Sequence, residues 1–336
     1  MRDAGQAAAV AAAQAPDELV HGVFDVLGTR VRVISTSVGL LRNWSTEYSA
    51  FRVRPTRVAL RLPGRPAADP GTHQGRDDIV VRVEAHGDSG PPRPTRAWIA
   101  VGDVERPWDG QEDLFPPLGA SPLSHWVYLH GTVVGRAGQA ALLLSVGPGR
   151  CSAGRLDTGF GVDTTSLAVA TAARGAWLLS DGLAPLDPDD LLVAPYPRAL
   201  HLRRETLALL SIDPADPALV PFRTPAGAIE WRAAPDVLLG SRLSLVAADV
   251  GAIVVLEPGA NGARPKLDRL PPGRALPHLA DHLHRAARCP AAADGEAGPD
   301  AAMQALTRLC GRVPAYRVAA GEPWLTARLL DEALLS

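Results

Sequence analysis

Lysine is almost missing from this chain. Of its 34 basic residues, Lys266 is the one lysine and the rest are arginine. A site that ordinarily relies on a lysine ammonium must here use arginine or do without. Cysteine is nearly as scarce. Cys151, Cys289 and Cys310 are the only three, and no two sit at CxxC spacing. That excludes a disulfide framework and a cysteine-built zinc site, and it fits a reducing, cytoplasmic setting. A surplus of one charge is also lacking. The formal net charge is −2 over 336 residues. This excludes the basic footprint of a nucleic-acid binder and the acidic block of a solvating tail. No uncharged apolar run approaches the roughly 18 residues of a membrane helix, so no membrane partner is expected. The alanine-rich stretch 7–13 lacks the basic and leucine-type regions of a signal peptide. Residues 1–15 are therefore read as a disordered tail.

Apolar residues make up 46% and charged residues 21%, ordinary values for a chain that buries a core. The length suggests about two domains. The arginine bias, with abundant Ala, Gly and Pro, reflects base composition and not a ligand. Residues 16–118 read as a small α/β domain. Strands are expected at 21–27 and 30–34, with Gly28 in the turn between them. Leu40, Leu41, Trp44 and Tyr48 fall at helical spacing. Further strands are expected at 57–62, 79–85 and 96–101, joined by Pro/Gly-rich loops. The turn-rich stretch 105–122 marks the domain boundary. No internal repeat is visible.

Residues 119–336 read as a second α/β domain. Apolar runs at 131–134 and 140–145 predict buried strands, and a glycine-rich loop spans 147–161. A helix follows at 164–174, stopped by Gly175. A strand at 176–179 then delivers Ser180 and Asp181. Strand, glycine-rich loop, helix, strand and acid is the order of a P-loop nucleotide site. The runs 140–145 and 176–179 are expected to be neighbouring strands. More strands are predicted at 191–194, 199–202 and 251–256, and helices at 275–287, 301–310 and 324–335. A P-loop needs glycines that bring backbone N–H groups to phosphate, here Gly147, Gly149 and Gly161. It needs a hydroxyl for Mg²⁺, here Thr165, and an acid on the next strand, here Asp181. Thr164 occupies the lysine position and Asp163 the preceding glycine, so the Walker pattern is degenerate. Asp163 reads as a helix N-cap.

Residues 125–205 resemble the catalytic core of the HPr kinase/phosphorylase family and its bacterial HPr kinase-related serine kinases. The matching text is Leu129-His130-Gly131-Thr132-Val133-Val134, Ala141-Leu142-Leu143-Leu144 and Thr165-Ser166-Leu167-Ala168. It continues with Arg174-Gly175-Ala176-Trp177-Leu178-Leu179-Ser180-Asp181, and then with Tyr196-Pro197-Arg198-Ala199-Leu200-His201-Leu202-Arg203. Pro314-Ala315-Tyr316-Arg317-Val318 before a last helix is also similar. The resemblance implies an α/β mixed-sheet core related to that of phosphoenolpyruvate carboxykinase. It implies ATP and Mg²⁺ as cofactors, and a small protein or peptide whose serine is phosphorylated. By the same resemblance His130 lies near the transferred phosphate. Thr165 holds metal, and Asp181 binds metal and activates the acceptor. Homo-oligomers occur among relatives with this core.

Three departures set this chain apart. Thr164 replaces the lysine, Gly182 replaces the second acid, and residues 150–162 are an insertion. Losing one such electrostatic donor costs about 2.7–4 kcal/mol of transition-state stabilisation. Arg150 and Arg155, both in the insertion, offer substitute charge in the manner of arginine fingers. The reading is therefore a pseudokinase-type module that binds a peptide or protein. The alternative is a divergent, active ATP- and Mg-dependent serine kinase. His278 and His282 lie four apart on an expected helix with Asp281 and His284, a spacing that suits a solvated face or a metal. Asp187, Asp189 and Asp190 read as a turn cluster, and Cys151 as a spectator.

Overall fold

The computed structural model describes residues 20–51, 79–86, 93–101, 104–107, 118, 120, 123–136, 138–146, 164–224, 227–259, 264–284 and 299–335. The expected strand at 57–62 and the glycine-rich loop 147–161 lie outside these residues. Among them the chain is a mixed α/β protein with three sheets and seven α-helices.

The first sheet holds β1 (Val20–Val26), β2 (Thr29–Ser35), β3 (Ile79–His86), β4 (Arg93–Val101) and β5 (Val104–Pro107), in sequence order. β1 and β2 form a two-residue hairpin in which Val26 faces Thr29. Leu27 and Gly28 both take positive φ, 53° and 78°. That is the backbone a tight hairpin requires, because its twist matches that of the strands. Gly28 N donates to the Asp25 carboxylate at 3.1 Å. Helix α1 (Val38–Glu47) follows, capped by Ser37, whose hydroxyl accepts from Leu40 N at 3.2 Å. Its buried Leu40 packs into the same cluster as Phe24, Val31, Val33 and Ile99 of the sheet.

The large sheet contains β6 (Val127–Leu129), β7 (Thr132–Arg136), β8 (Gln139–Ser145), β9 (Trp177–Ser180), β10 (Ala184–Leu186), β11 (Leu192–Val193), β15 (Ala248–Pro258), β16 (Lys266–Leu270) and β17 (Ala315–Ala320). Its order is β6-β10-β11-β15-β8-β7-β9, with β17 pairing the distal part of β15 and β16 pairing β17. β8 and β9 share this sheet but are not neighbours. β7 lies between them and pairs antiparallel with both. A tight turn at Gly138, φ 85°, folds β7 back on β8. β9 then adds to the free side of β7, so β8 and β9 run parallel with one strand between them.

Helix α2 (Thr164–Ala173) lies across β7, β8 and β9 and against the last helix. Thr164 and Ser166 to Ala172 are all buried, so α2 has no polar face and is a central helix. The small sheet is β12 (Leu200–Leu202), β14 (Ile229–Ala233) and β13 (Leu219–Arg223), in that order. The other helices are α3 (Arg204–Leu209), α4 (Pro235–Leu239), α5 (Pro272–Asp281), α6 (Pro299–Arg312) and α7 (Pro323–Leu334). The helix expected at 275–287 begins earlier and ends sooner. Proline is tolerated at the first helical position, where no N–H is needed, and Pro272 starts α5 there. After His282 the chain turns onto the edge of β6. Leu283 bridges Leu129, and His284 N donates to the Tyr128 carbonyl at 2.8 Å.

Candidate functional site

β7 and β9 are antiparallel, and Val133 faces Ser180. The start of β7 and the end of β9 therefore meet at one edge of the sheet. β8 also ends there, because it too is antiparallel to β7. α2 begins at the same edge. Thr132, Asp181 and Thr165, from three separate elements, come together by this topology.

Asp181 is buried, with 6% of its surface exposed. The Thr132 hydroxyl donates to Asp181 Oδ1 at 2.7 Å, and the Thr165 hydroxyl donates to Oδ2 at 2.8 Å. Each carboxylate oxygen thus holds one hydroxyl proton. No lysine or arginine pairs with Asp181 among the described residues. Beside it the Ser180 hydroxyl is buried and lacks a hydrogen-bond partner. Gly182 follows with φ 75°. That left-handed conformation suits glycine and disfavours a side chain. A Cβ placed at Gly182 would lie 3.8 Å from Arg198 Nη1.

The sequence-derived residues fare differently. Thr165 and Asp181 touch. Thr164 is buried as the first residue of α2. His130 lies two residues before Thr132 and is half-buried. Its N–H donates to the His282 carbonyl at 2.7 Å, and its ring stands 4.9 Å from the His284 ring. Gly147, Gly149, Arg150, Arg155, Gly161 and the expected N-cap Asp163 lie outside the described residues. The His278–His282 pair does not present two ring nitrogens to a metal. His282 Nδ1 is 2.7 Å from the His278 carbonyl oxygen, and Nε2 is 2.9 Å from that of Ser145. Asp187 accepts from Asp189 N at 2.8 Å, and Asp190 from Leu192 N at 2.9 Å. That cluster is a turn.

Thr132 escaped the sequence reading as a site residue. Its signal was a hydroxyl at the head of an otherwise apolar strand, directly after His130-Gly131. Glu47, Arg198, His201 and Arg232 also escaped it. They form a half-buried ionic cluster that includes the Arg198 group beside Gly182.

The donor set fits a magnesium ion only in part. The Thr165 hydroxyl and the Asp181 carboxylate are the hard oxygen donors such a cation takes. No group of three or more His, Cys, Asp or Glu able to hold a metal exists among the described residues. One carboxylate would have to anchor the ion. Thr164, at the position where the sequence reading expects a P-loop lysine, carries no charge. No described helix is long and apolar enough to cross a membrane.

No protein-family model matches the chain, and no curated protein matches it. Among solved structures, the chain is similar to the HPr(Ser) kinase/phosphatase from Coxiella burnetii. The identity is 11% and the TM-score 0.23, over 43% of this chain and 71% of that chain.

Proposed function

We propose that this protein is a binding module built on a kinase-type site, one that recognises a small protein or peptide without phosphorylating it. The observation that carries the reading is the closed state of Asp181. Each of its two oxygens accepts a hydrogen bond from a hydroxyl, from Thr132 at 2.7 Å and from Thr165 at 2.8 Å. A catalytic carboxylate must accept a proton from the substrate or hold a cation. This one is buried and already hydrogen-bonded on both oxygens. Thr164 in place of lysine, and a left-handed backbone at Gly182 where a second acid would stand, point the same way. β13 is an edge strand with exposed Val220, and such an edge offers backbone groups to an extended peptide.

The second reading is an active ATP- and Mg-dependent serine kinase. It is supported by the direct contact of Thr165 with Asp181, the pair that would share the ion. Calorimetric titration of the full chain with ATP, with and without Mg²⁺, separates the two. The binding-module reading expects no Mg-dependent ATP binding. Mg-dependent binding together with transfer of phosphate to a serine peptide would overturn it.

A further inference from the structure

Glu47 closes α1, and its carboxylate lies among three basic side chains that come from far along the chain. Arg198 Nε and Nη2 both donate to Oε1, at 3.1 and 2.8 Å. His201 Nε2 is 2.8 Å from Oε2, and Arg232 Nε is 3.6 Å from Oε2. The backbone is tied as well, since Ala199 N donates to the Glu47 carbonyl at 2.7 Å. Burial raises the pKa of such a carboxyl. The Arg198 charge and the hydrogen bonds from His201 and Arg198 outweigh burial and hold it at about 2.

The carboxylate fits this pocket imperfectly. Arg232 Nε is buried and makes no hydrogen bond, because 3.6 Å is beyond hydrogen-bonding reach. A planar carboxylate has two oxygens, one taken by Arg198 and the other by His201. Its single negative charge faces two guanidinium groups. A tetrahedral phosphate has further oxygens and a second charge, and guanidinium forks suit its geometry. Two of the basic groups are braced without help from Glu47. The Arg232 guanidinium lies 4.2 Å from the Phe222 ring centroid, and the His201 ring packs 5.1 Å from the same ring. The pocket also has access to solvent, since the His201 side chain is 33% exposed and that of Arg198 24%.

We propose that Arg198, His201 and Arg232 form a receptor for a phosphoryl group, and that Glu47 fills it as an intramolecular substitute. The inference does not depend on the binding-module reading, since it uses none of the residues that hold Asp181. It does place an anion receptor next to that site, because Arg198 Nη1 faces Gly182. The ligand class is a phosphate dianion, free or carried on a side chain.

Glu47→Ala in the full chain tests the receptor. Inorganic phosphate, O-phosphoserine and acetate are titrated into wild type and variant at equal ionic strength, with calorimetry and thermal unfolding as readouts. The expected result is saturable phosphate binding by the variant, about tenfold or more tighter than by wild type, with a matching rise in Tm. Binding of inorganic phosphate alone identifies a free ion. Binding of O-phosphoserine as well identifies a phosphoryl group carried by a side chain. The double variant Glu47→Ala with Arg232→Gln should lose the gain. Acetate binding as well as phosphate, or phosphate binding undiminished in the double variant, would overturn the proposal, as would no phosphate binding by a folded Glu47→Ala. If Glu47→Ala does not fold alone, refolding yield is read in phosphate and in chloride at matched ionic strength. Recovery specific to phosphate supports the receptor, and recovery in neither or in both equally overturns it.

Discussion

Glu47 shows how one side chain can tie stability to pH. Its carboxyl titrates at 4.5 when unperturbed and at about 2 in the folded chain. A carboxyl whose folded pKa is depressed stabilises the fold fully above the unfolded value. That contribution disappears as pH falls from about 4.5 through about 2. The shift corresponds to about 3 kcal/mol. Glu47→Gln should therefore be less stable than wild type at neutral pH, and the gap should shrink on acidification. Urea unfolding midpoints at neutral pH and near pH 3 check this, and a gap that stays constant would contradict it. Thr132 acts through hydrogen bonding. Thr132→Val keeps the shape but leaves Asp181 Oδ1 buried without its donor, a loss of about 1–3 kcal/mol. The urea midpoint should fall while the m-value holds. Gly182→Asp would restore an acid beside Asp181, yet φ there is 75°. A side chain in that region costs about 1–2 kcal/mol, so the variant should unfold at a lower temperature and gain no Mg-dependent ATP binding.

Elements were legible where their signal is local. The hairpin of β1 and β2, α1, β8 and α2 follow from turn residues, caps and apolar runs within a short window. α2 is recognisable as buried because its residues are small and uncharged all round. Strand order is not local. The Gly138 turn folds β7 back on β8 in the structure, but nothing in the sequence near β9 says whether it adds to β7 or to β8. The structure chooses β7, which separated two strands expected to touch. β10 and β11 are three and two residues long, too short to show a period. The Glu47–Arg198 contact spans 151 residues of sequence, which no spacing rule reaches. Gly135 ties β7, β8 and β9 together. It faces Ala140 on β8 and Trp177 on β9. A Cβ there would meet Trp177 Cη2 at 2.3 Å and the Gln139 carbonyl oxygen at 2.4 Å. The carbonyl is backbone and cannot swing aside without breaking the hairpin. Gly135→Ala should cost about 1–3 kcal/mol as an overpacked site. Its thermal midpoint, against that of an alanine placed at the open Gly273, measures the effect.

At the scale of the whole molecule, the first sheet shares its packing with the segments around the candidate site. One hydrophobic cluster contains Phe24, Val33 and Ile79 from the first sheet. The same cluster continues through Leu118, Leu123 and Trp126 to Leu183, Ala194 and Tyr196 beside the candidate site. The Phe51 and Tyr196 rings lie 4.9 Å apart across this junction. The Glu47 carboxylate and carbonyl bind Arg198 and Ala199 a few residues further on. Apolar contact and charge thus cross at the same place, where segment 196–201 passes between β9 and α1. Independent units unfold independently only when few contacts join them. Here the junction is part of a core, so heating should give one cooperative transition with equal calorimetric and van't Hoff enthalpies. Phe51→Ala opens a cavity in the middle of the junction and should cost about 3–5 kcal/mol. The loss should lower the transition as a whole, because the first sheet and the segments beside the candidate site pack into this one cluster. Two resolved transitions in wild type would show that the shared cluster does not couple the sheets. A split appearing only in Phe51→Ala would show instead that this one ring supplies most of the coupling.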